Sequence, residues 1–446
     1  MVSVCLYFQV HQPFRLRRYS IFDIGKSHDY FDHAKNQQVM HKIAKKCYLP
    51  ANKLIMDLIN RTDGKFKASY SITGPALEQF EQYTPEVLDS FKELAKTGNV
   101  EFLNETYYHT LSSIFSKQEF AEQIALHQRR IKELFGQKPK VFRNTELIFN
   151  NEIANFVQQL GFKGMLAEGA DHVLGWRSPN FIYTPKTAPG MKLLLKNYRL
   201  SDDIAFRFSE KSWSEWPLTA DKFANWVNAV NGNGDVVNLF MDYETFGEHQ
   251  WEDKGIFDFL GHMPKELLRH PDNDFVTPSE AITKYPAMGE LDVHHIVSWA
   301  DVERDLSAWL GNRMQQEAVK ELYAMEQDIK SLGSRKLLED WRKLQISDHF
   351  YYMCTKWFND GDVHKYFNPY DSPYEAFIAY MNIVNDFKMQ LKEGKESAYR
   401  KASMEIDTLL KTNSKVNKYK NKGIKDNSLS RKSRDFRKSK VGNRKV

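Results

Sequence analysis

Residues 236–251 have the sequence VVNLFMDYETFGEHQW, and this stretch decides how the fold is interpreted. Val236–Met241 is a Val-rich apolar run with the length of a buried β-strand. Three acids and a histidine follow at once, interleaved with aromatic side chains: Asp242, Glu244, Glu248 and His249. This density of acids and aromatics is not typical of a solvated surface loop. We therefore expect a chemical site at the carboxyl end of a buried strand.

Similar apolar runs, separated by helical segments, recur along the first part of the chain. Further strands are predicted at Val2–Val10, Phe66–Ile72, Val100–Leu103, Lys140–Arg143 and Lys163–Ala167. The helices between them carry capping-box patterns, such as Ser116 with Glu119 and Thr277 with Glu280. Strand–helix alternation over roughly 270 residues predicts an α/β fold with a parallel sheet covered by helices.

A closed or nearly closed βα-barrel is favoured over an open doubly wound sheet. In a βα-barrel the active site is assembled at the carboxyl ends of several strands, and polar clusters follow several separate strands of this chain. A nucleotide-binding sheet would instead place a glycine-rich loop after its first strand. At that position this chain has His11-Gln12-Pro13.

The chain changes character at about Trp299, beyond which helix follows helix. The predicted helices are Val302–Gln327, Ser334–Gln345, Tyr374–Leu391 and Tyr399–Leu410. They indicate an all-α domain packed on or near the barrel. The predicted domains are a catalytic barrel at 1–290, a helical domain contributing to the cleft at 291–410, and a basic tail at 411–446.

The net charge of +5 combines two regions of opposite sign. Residues 411–446 contain fourteen Lys or Arg against Asp426 and Asp435, a local charge of +12, so the other 410 residues carry −7. The tail has few large apolar side chains, which predicts disorder. Two interpretations of it stay open: weak, nonspecific contact with nucleic acid, or a solvated tail without a partner.

The remaining composition predicts a cytoplasmic protein without a membrane span. No run of 18 apolar residues occurs, and the N-terminus lacks the basic region and cleavage site of a secretion signal. The three cysteines (Cys5, Cys47 and Cys354) lie far apart without ligand spacing, which fits neither a zinc site nor a disulfide framework. No Asp with two closely spaced His stands at a predicted strand end, so no catalytic metal is expected.

Glu146 and Asp242 are the candidate catalytic carboxylates. The strand ending at Arg143 runs into Glu146, where Arg143, Asn144 and Thr145 are placed to keep a nucleophile ionised. The alternative for Glu146 is a helix-start residue favoured by the helix dipole. Together the two acids suit retaining glycoside cleavage, in which one attacks the anomeric carbon and the other protonates the leaving oxygen.

Two further residues are candidates for sugar contact. His11 ends the first predicted strand, and Pro13 stops the ladder there, so the histidine is held in place. Glu101 shares a strand face with Glu105, near Tyr and His residues. Paired acceptors beside aromatic rings suit sugar hydroxyls and sugar faces, whereas the alternative for this segment is a solvated strand face.

Five segments resemble, in order and spacing, the motif regions of glycoside hydrolase family 57, and its α-amylase branch most. They are HQP at 11–13, GNVE at 98–101, NTE at 144–146, MDYETFGEH at 241–249 and SWAD at 298–301. The resemblance spans about residues 1–390. It implies a (β/α)7 barrel, an incomplete TIM-type barrel, followed by a helical domain, and a retaining mechanism without metal or organic cofactor.

The resemblance also implies roles for particular positions. It places the nucleophile on Glu146, the acid/base on Asp242, and sugar-lining positions on His11 and Glu101. In the fifth region, which brings side chains of the helical domain over the cleft, the sugar-contact candidates are Trp299, Asp305 and Trp309.

The sequence thus predicts an α-amylase-like hydrolase that cuts α-1,4 links in glycogen, starch or maltodextrin. One alternative is a glucanotransferase or branching enzyme that uses the same carboxylate pair. Another is a glucan-binding protein without turnover. Oligomeric state, chain-length preference and endo or exo action stay open.

Overall fold

The computed structural model describes residues 2–356 and 368–432, and an α/β barrel forms most of it. The strands in this part of the chain are β1 (Ser3–Val10), β2 (Ala68–Ile72), β3 (Val100–Phe102), β4 (Val141–Arg143), β5 (Gly164–Glu168), β6 (Tyr183–Pro185), β7 (Lys192–Lys196), β8 (Val236–Asp242), β9 (Asp274–Phe275) and β10 (Gly289–Leu291). All strands predicted from the sequence are present with shifts of one or two residues at their ends.

Seven of these strands close into a (β/α)7 barrel, as predicted. β8, β1, β2 and β3 pair in parallel, as do β4, β5 and β7. One seam closes where Asn104, just past β3, pairs in parallel with Phe142 of β4. At the other seam the Asn197 N–H donates to the carbonyl O of Asn238 at 2.9 Å, and Asn238 Nδ2 donates to Leu195 O at 2.9 Å.

Three short strands are appended to the barrel. β6 pairs antiparallel with β7, β10 pairs in parallel with β6, and β9 pairs in parallel with the start of β1. Barrel strand β7 was not predicted because its sequence, Lys-Leu-Leu-Leu-Lys, has only three apolar residues in a segment rich in Pro, Gly and Thr.

The strands are buried on both faces, which explains their apolar runs. In β1, Cys5 and Tyr7 point into the barrel and join its interior cluster. Val4, Leu6 and Phe8 alternate with them and pack against the surrounding helices. The helices of the barrel region are His33–Ile43, Leu49–Arg61, Gly74–Tyr83, Pro85–Lys96, Ser112–Phe115, Lys117–Phe135, Asn151–Gln159, Asp171–Leu174, Tyr198–Ala205, Ala220–Asn228, Ile256–Leu267 and Pro278–Lys284.

The helical region after the barrel shares a core with it. Its helices are Ser307–Leu310, Arg313–Tyr323, Glu326–Leu332, Arg335–Leu344, Ser347–Tyr351 and Pro373–Lys432. Trp309 and Trp341, both fully buried, belong to the same apolar cluster as Phe142 and Met165 of the barrel. The helical region is therefore packed directly on the barrel wall.

Two predictions about this region were wrong. The single helix predicted at Val302–Gln327 is three helices, because Asn312 caps a new helix by accepting from the Gln315 N–H at 3.0 Å. The two helices predicted beyond Tyr374 are one, Pro373–Lys432, which extends into the basic segment that begins at residue 411. Once a helix is nucleated, each added residue contributes a hydrogen bond, which favours continuation through a polar sequence. Residues 433–446 lie outside the described part of the chain.

The predicted capping boxes differ in outcome. Thr277 and Glu280 form both reciprocal bonds. Ser116 Oγ accepts from the Glu119 N–H at 3.1 Å. The buried Glu119 carboxylate, however, accepts from Arg342 Nε at 2.7 Å instead of from the backbone N–H of Ser116. A buried carboxylate gains more from a guanidinium than from a backbone N–H, and this pair links the barrel to the helical region. Within the described residues, no helix is both long and apolar enough to cross a membrane.

Candidate active site

Glu146 follows β4 directly, on a turn with unusual backbone geometry. Glu146 and Leu147 have φ angles of 56° and 52°, in the left-handed region that non-glycine residues seldom adopt. Leu147 is buried in the interior of the barrel, which holds the turn in this conformation. Strain of this kind is found where a fold must aim a side chain, and here it aims Glu146, which is 6% exposed.

The Glu146 carboxylate accepts two hydrogen bonds. His109 Nε2 lies 2.7 Å from Glu146 Oε1, and the Trp299 indole N–H donates to Glu146 Oε2 at 2.7 Å. The backbone N–H of Trp299 also donates to the Glu146 carbonyl O at 3.1 Å. Both bonds to the carboxylate favour its ionised form.

His109 connects Glu146 to a second buried carboxylate. Its Nδ1 lies 3.1 Å from Glu105 Oε2, and Gln9 Nε2 donates to the other Glu105 oxygen at 3.1 Å. Burial alone would lower the pKa of His109, but the hydrogen bonds and charges of Glu105 and Glu146 raise it to about 9. Burial would raise the pKa of Glu105, but His109 lowers it to about 2. The arrangement is thus carboxylate–imidazolium–carboxylate.

This arrangement predicts a loss of stability at alkaline pH. Because the pKa of His109 rises from 6.5 in the unfolded chain to about 9, its contribution is complete below pH 6.5 and lost as pH rises through about 9. The contribution is up to roughly 3 kcal/mol. We expect the unfolding free energy of the wild type to fall between pH 6.5 and 9, and that of His109→Gln to change much less. Urea denaturation at pH 6, 7.5 and 9 measures this, and an equal alkaline fall in both proteins would contradict it.

Asp242 is the last residue of β8 and lies opposite Gln9 of β1 in the ladder. The loop after it turns back at Gly247, whose φ is 107°. A β-carbon there would overlap the carbonyl O of Lys46, so the close approach of the two backbones requires glycine. The Gly-Glu-His segment of the opening stretch is therefore a tight turn that follows the site.

A second acid lies beside Asp242. Burial, followed by the negative charge of Asp242, raises the pKa of Glu244 to about 8. Its Oε1 accepts from the Tyr48 hydroxyl and, at 3.3 Å, from Gln12 Nε2. Near neutral pH Glu244 is therefore largely protonated, which limits the negative charge next to Asp242.

Glu146 and Asp242 line one cavity of about 620 Å³ at the carboxyl ends of the strands. Both also line a smaller recess of about 90 Å³. The larger cavity is bordered by Trp299, Tyr198, Arg304 and Tyr351, and the recess by His11, His109, Glu244 and Asp348. The volume of the larger cavity is in the range of small-molecule binding sites, and the walls of that cavity combine aromatic rings with charged groups.

Four of the seven predicted site residues come together in this way: Glu146, Asp242, His11 and Trp299. His11 Nε2 lies 2.8 Å from Asp348 Oδ2, and its ring stacks on that of His109 at 4.1 Å. Burial and the neighbouring His109 lower the pKa of His11.

Three predicted sugar contacts do not line either cavity: Glu101, Asp305 and Trp309. The Glu101 carboxylate accepts from the Ser279 N–H at 2.9 Å, at the start of helix Pro278–Lys284. Asp305 is exposed and caps a turn by accepting from the Ser307 N–H at 2.8 Å. Trp309 is 1% exposed and belongs to the core. The structure therefore does not support sugar contact by these three side chains.

The segment that carries Trp299 is fastened to the barrel by Arg304. Arg304 Nη1 donates to Glu168 Oε2 at 3.0 Å and to Trp299 O at 3.1 Å, and its Nη2 lies 3.7 Å from Asp202. The guanidinium carbon also lies 4.6 Å above the Tyr198 ring. Because Glu168 is fully buried at the end of β5, this contact fixes the loop that places the Trp299 indole on Glu146.

We expect Arg304→Ala to lower the unfolding free energy by about 3 kcal/mol, since the buried Glu168 carboxylate loses its hydrogen-bonded cation and keeps only the more distant Lys196 and the Gly169 N–H. The Michaelis constant should also rise, because the loop carrying Trp299 loses its anchor. Urea denaturation and steady-state kinetics measure the two effects. In a Glu168→Gln background the stability cost of Arg304→Ala should shrink, and an undiminished cost there would refute the role of the pair.

Other residues of the site were not assigned from the sequence. Glu105 and His109 lie in a segment whose composition suits sugar binding. The bonds of His109 to Glu105 and to Glu146 could not be inferred from the spacing of these residues. Asp348 and Tyr351 come from a short helix between longer ones, and nothing in the local sequence marks them. Among the described residues, no group of three or more His, Cys, Asp or Glu could hold a metal ion.

Comparison with known proteins gives a consistent picture. The family model described as glycosyl hydrolase family 57 matches residues 5–294. A Methanocaldococcus jannaschii protein named "Putative alpha-amylase" is 46% identical over 399 residues, covering 86% of this chain and 84% of its own.

Solved structures share the fold at low identity. A family 57 branching enzyme from Thermococcus kodakaraensis matches with a TM-score of 0.60 at 14% identity, over 82% of this chain and 87% of that one. A 4-alpha-glucanotransferase from Thermococcus litoralis matches with a TM-score of 0.55 at 17% identity, over 79% of this chain. This chain spans 50% of the length of that enzyme.

Proposed function

The chain belongs to glycosyl hydrolase family 57, and from this we propose that it cleaves α-1,4-glucans with retention of anomeric configuration. Glu146 is the proposed nucleophile and Asp242 the proposed general acid/base. The observation that carries the proposal is their placement on one cavity, with Glu146 held between the His109 ring and the Trp299 indole.

In the first step Glu146 attacks the anomeric carbon as Asp242 gives its proton to the glycosidic oxygen. The C–O bond to the leaving chain breaks, and a glycosyl ester of Glu146 forms. The leaving chain departs with the proton of Asp242. The His109 imidazolium supports this step because it keeps the attacking carboxylate ionised.

In the second step Asp242, now a carboxylate, takes a proton from water as the water oxygen attacks the anomeric carbon. The ester bond to Glu146 breaks and both carboxyl groups return to their starting states. Glu244, largely protonated near neutral pH, assists this second step only, because a neutral neighbour does not oppose the negative charge that Asp242 carries between the two steps.

Sugar binding is proposed for the residues around the pair. Arg143 and Lys196 both lie over the half-buried Trp299 ring, at 4.8 Å and 5.4 Å from its centroid, and help to hold its plane at the cavity wall. His11, ordered by Asp348, presents a polar ring in the recess next to the carboxylates. An α-glucan matches this combination of aromatic faces and hydroxyl partners.

Incubation of the purified protein with maltoheptaose and with glycogen tests the proposal, with reducing ends and product lengths followed together. Rising reducing ends with shorter products are expected. Longer and shorter products at constant reducing ends would show that a sugar hydroxyl replaces water as acceptor, as in a transferase. Binding without any product would refute catalysis, and with it the proposal.

A further inference from the structure

A second cavity, of about 610 Å³, lies on the outer side of the barrel, away from the catalytic carboxylates. The segment Trp216–Asp221 forms one wall, and helix Ile256–Leu267 with Lys254 forms the other. Trp216 stands at its edge with 43% of its surface exposed, beside Pro217. Lys211 Nζ lies over this ring, 5.9 Å from its centroid, and the exposed part of the ring leaves apolar surface on which a sugar can stack.

Polar groups with unused hydrogen-bonding capacity accompany this ring. In the described part of the chain, neither the Asp258 carboxylate nor the Trp216 indole N–H has a hydrogen-bond partner. His262 uses only its Nδ1, toward the Asp258 carbonyl O at 2.8 Å. Because this bond uses the proton on Nδ1, Nε2 of the neutral imidazole is an acceptor. Two acceptors, the indole N–H donor and an apolar ring in one cavity match a pyranose, which offers hydroxyls at its edge and C–H groups on its face.

The second cavity is connected to the catalytic one through a single rigid segment. Phe206 lines the catalytic cavity and is 54% exposed, whereas Phe208, two residues on, lines the second cavity. The buried Gln250 side chain holds this segment, since its Nε2 donates to Ala205 O at 2.8 Å and its Oε1 accepts from the Ser209 hydroxyl. Gln250 itself belongs to the loop that follows Asp242, so the two cavities keep a fixed spacing.

We infer that the second cavity is an auxiliary binding site for α-glucan, which holds a part of the polymer outside the catalytic cavity by stacking on Trp216. This inference rests on the proposed function for the identity of the sugar. A catalytic cavity of about 620 Å³ accommodates only a short oligosaccharide, so a polymer must continue over the surface. Phe206 is exposed at the catalytic cavity and lies two residues from Phe208 of the second cavity, so this segment offers the polymer an aromatic surface between the two.

The test is binding to glycogen in a background that cannot consume it. Affinity electrophoresis of the full chain in glycogen-containing gels is compared for Glu146→Gln alone and combined with Trp216→Ala or Trp216→Phe. We expect Trp216→Ala to raise the dissociation constant for glycogen about tenfold, and Trp216→Phe to restore most of the affinity because a ring remains. Tyr399→Ala is the matched control, since Tyr399 is 76% exposed on the long helix and lines neither cavity.

Unchanged glycogen affinity in the Trp216→Ala protein would overturn the inference, as would equal retention on a soluble β-glucan. Failure of the proposed function would be recognised differently, because the wild type would then form no product from maltoheptaose or from glycogen. Glycogen retention that depends on Trp216 would support the auxiliary site even in that case.

Discussion

Glu146→Gln is expected to lower the turnover number on maltoheptaose by about 10⁴-fold or more. The amide cannot form the glycosyl ester, and it also loses the charge that binds the His109 imidazolium. Substrate binding should persist, because the amide keeps the shape of the side chain and an oxygen for the Trp299 N–H. Steady-state kinetics and a binding isotherm for maltoheptaose measure the two effects separately.

The matched control is Glu101→Gln. Glu101 is a carboxylate in the same barrel whose partner is Ser279, and it does not line the catalytic cavity. Its replacement should leave the turnover number within about twofold of the wild type, as expected for a change distant from the chemistry. A loss comparable to that of Glu146→Gln would show that Glu101 takes part in catalysis. Near-wild-type turnover by Glu146→Gln would show that Glu146 is not the nucleophile.

Asp242→Asn is expected to show the second largest effect, a loss of about 10³-fold on maltoheptaose. The asparagine cannot protonate the leaving oxygen. An aryl α-glucoside with an acidic phenol needs little protonation to leave, so the loss in the first step should be much smaller with that substrate. The comparison of the two substrates, by product release and by the pre-steady-state burst of phenol, separates the acid role from general damage.

Asp305→Asn serves as the control for this change, since Asp305 is exposed and lies outside the cavity. It should behave as the wild type with both substrates. An equal loss on both substrates in Asp242→Asn would exclude proton donation as the role of Asp242 and would indicate a contribution to binding instead.

The two carboxylates could be predicted because each stands at the end of a barrel strand or just beyond it. Glu146 stands three residues after the end of β4, and Asp242 is the last residue of β8. The carboxyl ends of parallel strands meet at one end of the barrel, so residues at those positions converge without further information. The apolar runs therefore predicted both the barrel and the neighbourhood of the pair.

Glu101 shows the limit of that reasoning. It lies within β3, whereas Glu105 lies beyond the strand and reaches His109. The sequence pattern places Glu101 and Glu105 on the same strand face. In the structure they are four residues apart along the chain, so Glu101 contacts the start of a helix whereas Glu105 lies in the site. The exact end of a strand decides such a case, and strand ends are the least certain part of a sequence-based assignment.

Residues contributed by the helical region were even harder to predict from the sequence. His11 and Asp348 are separated by 337 positions, and their contact depends on how the helical region packs on the barrel. Trp299 was identified, yet Trp309 has the same chemistry and a core position. Only the packing of helix Ser307–Leu310 under the loop distinguishes the two tryptophans.

The central claim is that Glu146 forms a covalent glycosyl intermediate, and the configuration of the first product tests it most directly. Proton NMR recorded during rapid cleavage of maltoheptaose distinguishes the two anomers before mutarotation mixes them. Two displacements at the anomeric carbon predict that the α-anomer appears first. Initial release of the β-anomer would mean a single displacement by water and would contradict the account.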